Sequence, residues 1–339
     1  MTKKKVLVTG GAGFIGGNFV QYMVDKYPQY DIYNLDLLTY AGDLTKHREI
    51  EKKSNYYFVK ADIVERELII TLFEKEKFDY VVHFAAESHV DRSITNPGIF
   101  VQTNIVGTQV LLDASKQIGI SKFVHVSTDE VYGELDFDPT IFFTEETPIQ
   151  PNSPYSASKA SSDLLVRAYH ETYGLPVNIT RCSNNYGPYH FPEKLIPLTI
   201  SRVLNDQNVP VYGDGKNIRD WLHVIDHCTA IDLVLHKGIN GEVYNIGGHN
   251  ERTNLEVVKT IISTLEKSKE LIEFVPDRLG HDKRYAIDPT KMENLGWKPT
   301  FTFETGIIQT IQWYIDNKDW WNQIMSGEYR QYIDEQYNI

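Results

Sequence analysis

Tyr155 and Lys159 stand four residues apart just behind Pro154, a spacing that on a helix puts a phenol and an ammonium on one face. Such a pair can take a proton from a hydroxyl, because a nearby cation favours the phenolate and draws a pKa of ~10 towards neutrality. Tyr22/Lys26, Tyr56/Lys60, Tyr212/Lys216 and Tyr314/Lys318 share the spacing, so spacing alone selects nothing. The selection comes from Ser127-Thr128-Asp129-Glu130 upstream, which closes an apolar, strand-like run. Ligands of parallel sheets bind beyond such strand ends. A hydroxyl followed by adjacent carboxylates can also supply both partners of an elimination, one acid to protonate a departing hydroxyl and one base to take a carbon-bound proton. Neighbouring strand residues face opposite ways, so Asp129 and Glu130 can serve one ligand only if the strand has ended by Thr128.

A second group of residues suits phosphate. Gly10, Gly13 and Gly16 follow the apolar run Val6-Leu7-Val8 and lead into Phe14, Ile15, Phe19 and Met23 at helical spacing. Strand, glycine turn and helix in this order let the backbone approach a pyrophosphate at a helix amino end. Asp36 comes 20 residues after Gly16 at the end of the next strand-like run, where a carboxylate accepts hydrogen bonds from an adenosine ribose. No Arg or Lys lies between Asp36 and Lys46 to meet a 2′-phosphate, which favours NAD over NADP. Asp62-Ile63 follows another strand and can flank the adenine, or Asp62 can cap a helix.

The elements that must position these groups alternate. Strand-like runs at 32–36, 56–59, 80–84, 123–127 and 177–181 are separated by helical patterns at 65–75, 103–119 and 154–173. Strands apolar on both faces, alternating with helices, predict an α/β fold with a doubly wound parallel (Rossmann) sheet. Residues 1–181 form the predicted NAD-binding domain, with 220–247 returning to it. Residues 182–339 form a smaller C-terminal substrate domain, the ligand lying in the cleft between them.

Composition narrows the function classes. The 339 residues carry 34 Lys plus Arg against 46 Asp plus Glu, a net charge of −12, and no basic patch interrupts it. Nucleic acid and acidic membranes are therefore excluded as partners, while a small phosphorylated ligand held by a few local cations is not. No apolar stretch approaches the ~18 residues of a spanning helix. Cys182 and Cys228 lack metal or disulfide spacing, which predicts a reducing, cytoplasmic setting. His223 and His227 share a helical face beside Cys228, but neither HExxH nor a Cys pair accompanies them, so no metal is expected and Asp226 is read as a helix cap.

Taken together, the glycine turn, Asp36, Thr128 and Tyr155/Lys159 resemble the extended short-chain dehydrogenase/reductase family over essentially the whole chain. Ser127-Thr-Asp-Glu-Val-Tyr-Gly133, Phe84-Ala-Ala-Glu-Ser-His-Val-Asp-Arg-Ser93, Arg181-Cys-Ser-Asn-Asn-Tyr-Gly187 and Arg219-Asp-Trp-Leu-His223 are similar to its nucleotide-sugar dehydratases. The resemblance implies conversion of dTDP-glucose to dTDP-4-keto-6-deoxyglucose and water, a step of deoxysugar (dTDP-rhamnose) biosynthesis. NAD would accept hydride from C4 and return it to C6. Thr128, Asp129, Glu130, Tyr155 and Lys159 are the implied catalytic residues. For the cofactor it adds Phe14, Ile15, Leu37, Thr39, Phe84, Ala85, Ala86, Ser88, Thr103, Asn185, Tyr155 and Lys159, the last to anchor the nicotinamide ribose, alongside the glycines, Asp36, Asp62 and Ile63. Ser88, Thr128, Asn184, Lys194, Leu195, Pro210, Tyr212, Arg219, Asn254, Arg278 and His281 are implied for the nucleotide sugar. Among these Lys194, Arg219 and Arg278 offer cations to a diphosphate and Tyr212 a stacking face. Arg92, Arg181 and Arg284 remain rival cations. The family also implies a homodimer through helices near 103–119 and 155–173. Dehydratases of GDP-mannose or UDP-sugars, a nucleotide-sugar 4-epimerase and an idle NAD-sensing protein are the alternative readings.

Overall fold

A computed structural model describes residues 3–277 and 281–325. Twelve strands are present among them: β1 (Lys4–Thr9), β2 (Tyr30–Asp36), β3 (Tyr56–Lys60), β4 (Tyr80–His83), β5 (Lys122–Thr128), β6 (Val177–Cys182), β7 (Asn184–Tyr186), β8 (Val209–Tyr212), β9 (Ile218–His223), β10 (Val243–Ile246), β11 (Glu251–Thr253) and β12 (Ile272–Val275). Seven of them form one parallel sheet in the order β10-β6-β5-β4-β1-β2-β3. The chain winds outward from β1 to β3, then returns to the other side of β1 with β4. That reversal opens a crevice at the carboxyl ends of β1 and β4.

Both faces of the sheet are covered, which is why its strands are apolar on both sides. Val6, Val8, Val124 and Val126 pack with Phe19, Met23, Ile231 and Val234 on one face, where α1 (Phe14–Lys26) lies. Leu7, Val81 and Phe123 pack with Ile69, Phe73, Leu111 and Val166 on the other, under α2 (Arg66–Glu76). After β4 come α3 (Val90–Thr95), α4 (Pro97–Phe100), a π-helical stretch over Val101–Gly107, α5 (Thr108–Ile118) and α6 (Pro154–Tyr173). The helix expected at 103–119 therefore begins earlier and is wound wide through its first turns. Tertiary packing decides this, since Asn104 is held by Glu87 and by the Ser158 hydroxyl at 2.8 Å.

Beyond β6 the chain builds a second layer with α7 (Leu195–Leu204), α8 (Val224–Lys237), α9 (Asn254–Thr264), α10 (Thr290–Asn294), α11 (Phe303–Asp316) and α12 (Lys318–Ile324). β7, β9 and β11 form a three-stranded sheet, and β8 pairs with β12. Tyr186, Ile196, Ile200, Trp221, Ile261 and Phe303 form the core of this layer. β10 rejoins the main sheet beside β6, and α8 packs against α1. No helix among the described residues is long and apolar enough to cross a membrane.

Candidate active site

One cavity of about 600 Å³ runs from the β1 turn, past the ends of β4 and β5, to the second layer. At its floor the chain leaves β1 through Gly10, at φ +70°. A Cβ on Gly10 would lie 2.6 Å from the Ala85 backbone nitrogen, and one on Gly16 would lie 2.3 Å from the Gly10 oxygen. Neither neighbour is a side chain that could swing away. Glycine is required here because three backbone segments meet. α1 begins at Phe14 with neither an acidic first turn nor a side-chain cap, which leaves its amino end able to accept an anion. At the end of β2 the Asp36 carboxylate accepts from the Ala12 and Leu38 N–H groups at 2.9 and 2.8 Å, tying it to the turn.

Phe14, Ile15, Leu37, Thr39, Asp62 and Ile63 line this end of the cavity. Phe84, Ala85, Ala86, Ser88, Thr103 and Asn185 continue the lining towards Tyr155 and Lys159. The glycine cradle, the helix end and the carboxylate of Asp36 fit a dinucleotide whose diphosphate lies over the turn and whose ribose meets Asp36.

The strand β5 ends at Thr128, as shared use of the carboxylates demands. Asp129–Tyr132 is a 3-10 turn capped by Thr128, whose Oγ1 accepts from the Glu130 N–H at 3.3 Å. Asp129 is 2% exposed. The Thr128 hydroxyl donates to its Oδ1 at 3.3 Å, whereas Oδ2 is buried with no hydrogen-bond partner among the described residues. Burial, then the charges of Glu130 and Asp220, push the Asp129 carboxyl far above the ordinary carboxylate range. It is thus held protonated. Thr128, Tyr155 and Lys159 are among the cavity's lining residues, and Asp129 and Glu130 follow Thr128 directly in the 3-10 turn. Both carboxylates raise the phenol of Tyr155, which places them within electrostatic reach of it.

Tyr155 is itself buried. Its phenol is pushed up, chiefly by burial and then by Glu130, Cys182 and Asp129, with the Thr128 hydroxyl pulling the other way. The Lys159 Nζ donates to the Val126 carbonyl at 2.8 Å. Burial lowers Lys159 itself to about 8. The shared helix face is present, since capped α6 carries both residues, but the lysine is anchored on β5.

From the second layer, Asn184, Lys194, Leu195, Pro210, Tyr212, Arg219, Asn254 and His281 reach the same cavity. Arg219 is buried against the Tyr285 ring, 4.1 Å from its centroid. Arg278 lies outside the described residues. Of its rivals, Arg284 and Arg181 are engaged away from the cavity, whereas Arg92 lies on a ring that lines it. Arg284 pairs with Glu251 at 2.7 Å and donates to the Asp138 and Ile141 carbonyls, Arg181 pairs with Asp163 at 2.9 Å, and Arg92 stacks over Tyr40 at 3.7 Å. Asp226 is not the cap of α8. His223 fills that position, accepting from the Ile225 N–H, and Asp226 instead holds the Thr300 and Phe301 N–H groups, each at 2.9 Å. No group of metal-ligating side chains occurs among the described residues.

Lys46 is a cavity residue that sequence reasoning treated only as a boundary. The available signal was Gly17, a glycine beyond Gly10, Gly13 and Gly16 that the turn itself does not need. Cys182 also lines the cavity, and both Asp129 and Lys159 influence its thiol.

Parallel sheet, glycine turn and a Tyr/Lys pair at the strand ends define a dinucleotide-binding fold with a buried phenol in its cleft. The family model described as GDP-mannose 4,6 dehydratase matches residues 7–310. A dTDP-glucose 4,6-dehydratase of Escherichia coli is 51% identical over 96% of this chain and 97% of its own length. The dTDP-glucose 4,6-dehydratase of Bacillus anthracis, solved with NAD, superposes with a TM-score of 0.89 at 54% identity, covering 95% of this chain and 99% of that one. The Streptomyces venezuelae enzyme of the same name gives 0.90 at 47% identity, with 94% and 99% covered. The chain belongs to the nucleotide-sugar dehydratases of the extended short-chain dehydrogenase/reductase family.

Proposed function

We propose that this protein is an NAD-dependent hydro-lyase that converts dTDP-glucose to dTDP-4-keto-6-deoxyglucose and water. The observation that carries the reading is the carboxylate pair beside Tyr155, with Asp129 held protonated at the end of β5. A 4-epimerization has no use for an acid and base of this kind.

When bound, NAD supplies a reversible two-electron acceptor, so oxidation at C4 and reduction at C6 need no external reagent. Tyr155 takes the O4 proton while Thr128 hydrogen-bonds the O4 region. Because burial holds the phenol protonated, it works as a base only with positive charge nearby, and the Lys159 ammonium is one helical turn away on α6. The C4 ketone makes the C5 proton acidic. Glu130 removes it, and Asp129 gives its proton to the C6 hydroxyl, which leaves as water. Lys194 and Arg219 face the substrate's diphosphate and Tyr212 its base, with Arg278 assigned to the same task from the sequence alone.

Residues 1–181, with 220–247, hold the cofactor in this reading, and the rest of the chain from 182 holds the nucleotide sugar. A homodimer is supported by Ile94, Ile99, Val101 and Leu164. These are 41–55% exposed, on elements that pack against one another around α6. The free, buried thiols of Cys182 and Cys228 suit a reducing cytoplasm.

The test incubates purified protein, without added NAD, with dTDP-glucose deuterated at C4, and follows the product by mass spectrometry. Loss of water with the label at C6 is expected. Product without label at C6 overturns the internal return, and water loss only from a GDP- or UDP-sugar overturns the substrate.

A further inference from the structure

The segment after β2 closes over the back of the glycine turn. Lys46 is 5% exposed, and its Nζ donates to the carbonyls of Ala12 at 2.9 Å and Gly13 at 2.8 Å. A buried ammonium is costly unless its donors are used, and here the turn's own backbone uses them. Gly17 makes the room. A Cβ on Gly17 would lie 2.6 Å from Lys46 Cδ, so the lysine occupies the space that any other residue at 17 would claim. The Asp43 N–H donates to the same Ala12 carbonyl at 2.9 Å, and Asp43 in turn accepts from Trp320 Nε1 at 2.6 Å.

The geometry has an electrostatic consequence. In a planar trans peptide the carbonyl and the following N–H point in opposite directions. Holding the Gly13 oxygen on the Lys46 side turns the Phe14 N–H away from it, at the amino end of α1 where an anion is accepted. The lysine also sets a full charge beside a helix end that offers only partial ones.

We propose that Lys46 is a positioning residue for the dinucleotide, fixing the glycine turn in its anion-accepting shape and adding a cation to the field at the diphosphate. The proposal rests on the reading of the cavity as the NAD site. Asp43 and Asp36 face Lys46 and favour its charge, His47 adjoins it, and the Tyr189 ring lies 5.7 Å from its Nζ. Burial outweighs the carboxylates and lowers Lys46 to about 8, while His47 is lowered to about 4. An anion binds better to the protonated form, so affinity for the dinucleotide falls as pH rises through this range, and His47 does not titrate within it.

The test uses the full chain stripped of bound dinucleotide. Affinity for NAD, ADP-ribose and adenosine is measured by calorimetry between about pH 6 and about 9.5 for the wild type, Lys46→Met and Lys46→Arg. The wild type should lose about tenfold in NAD affinity across the range. Lys46→Met should be about tenfold weaker at the acid end and flat with pH, and Lys46→Arg should restore affinity without the slope. ADP-ribose should follow NAD, whereas adenosine, which has no diphosphate, should bind the wild type and Lys46→Met alike. Equal NAD affinity and slope in wild type and Lys46→Met overturns the proposal, as does a parallel loss of adenosine, which would mean general damage to the pocket. A wild type that binds adenosine but not NAD or ADP-ribose would instead overturn the dinucleotide reading itself.

Discussion

Replacing Asp129 by Asn separates the chemistry of this residue from its structural cost. The side chain is 2% exposed, one of its oxygens has no partner among the described residues, and burial beside Glu130 and Asp220 keeps it protonated. An amide of the same shape preserves neutrality but has no acidic proton to give to the C6 hydroxyl. Loss of a general acid costs ~10²–10⁴-fold in turnover, about 2.7–5.5 kcal/mol of barrier, with little change in KM because the ground-state contacts survive. Stability should move the other way. The folded pKa lies above the unfolded value, so this group's contribution is complete below ~4 and is lost as pH rises through the folded pKa. At neutral pH the wild type must bind a proton on folding that the Asn variant does not need. Urea melts should therefore show Asp129→Asn more stable than wild type near pH 8 and nearly equal near ~pH 3.5. Steady-state kinetics with the nucleotide sugar should show the loss in kcat. A variant with wild-type kcat, or one less stable at neutral pH, refutes the picture of a protonated acid.

Glu130→Gln should halt the cycle earlier, abolishing exchange of the C5 proton with deuterated solvent, while Asp129→Asn keeps that exchange; NMR of recovered sugar distinguishes them. Gly16→Ala places a Cβ 2.3 Å from the Gly10 oxygen, so NAD affinity should fall by at least about tenfold, measured by equilibrium dialysis. Asp232, held by Lys26, His236, Tyr22 and Tyr27, is lowered to about 2. Its contribution is complete above ~4 and lost as pH falls towards 2, so Asp232→Asn should cost about 1–2 kcal/mol at pH 7 after solvent screening and nothing at ~pH 2 in chemical melts. If the protein dimerises as proposed, Leu164→Asp, at a side chain 55% exposed on α6, should give a monomer by light scattering, and an unchanged dimer mass removes this face from the interface.

What the sequence made legible is local. Strand, glycine spacing and Asp36 could be read because each residue's duty is set by neighbours close in the chain. The α6 helix was readable for the same reason, its Ser153 capping box and Pro154 lying in the primary structure. What escaped depends on contacts between distant segments. The π-helical turn at Val101–Gly107 answers to Glu87 and Ser158. Lys46 answers to a vacancy at Gly17, and Asp226 serves backbone donors more than seventy residues away. The Tyr/Lys spacing places both residues on one helix face, whereas the burial that raises the phenol is not encoded in periodicity.

Depth of burial is also what separates the two carboxylates. Asp129 and Glu130 are chemically alike and adjacent, and a regular strand would send them to opposite faces. Ending β5 at Thr128 and turning at once into a 3-10 helix brings both near Tyr155 but leaves them at unequal depth. Asp129 turns inward among Asp220 and Arg219 of β9 and Cys182 of β6, where the charged form is penalised. Glu130 has its N–H held by Thr128 and is only half-buried, near the rings of Tyr155 and Tyr285. Raising one of two adjacent carboxylates by burial lets that one serve as the acid. β9 is part of the second layer, so the proton on Asp129 depends on residues the main sheet does not supply. A change that loosens β9, such as loss of the Asp220 contacts to the Gly248 and Asn250 N–H groups at 2.8 and 2.6 Å, should admit water to Asp129, lower its proton affinity and slow elimination without touching either carboxylate.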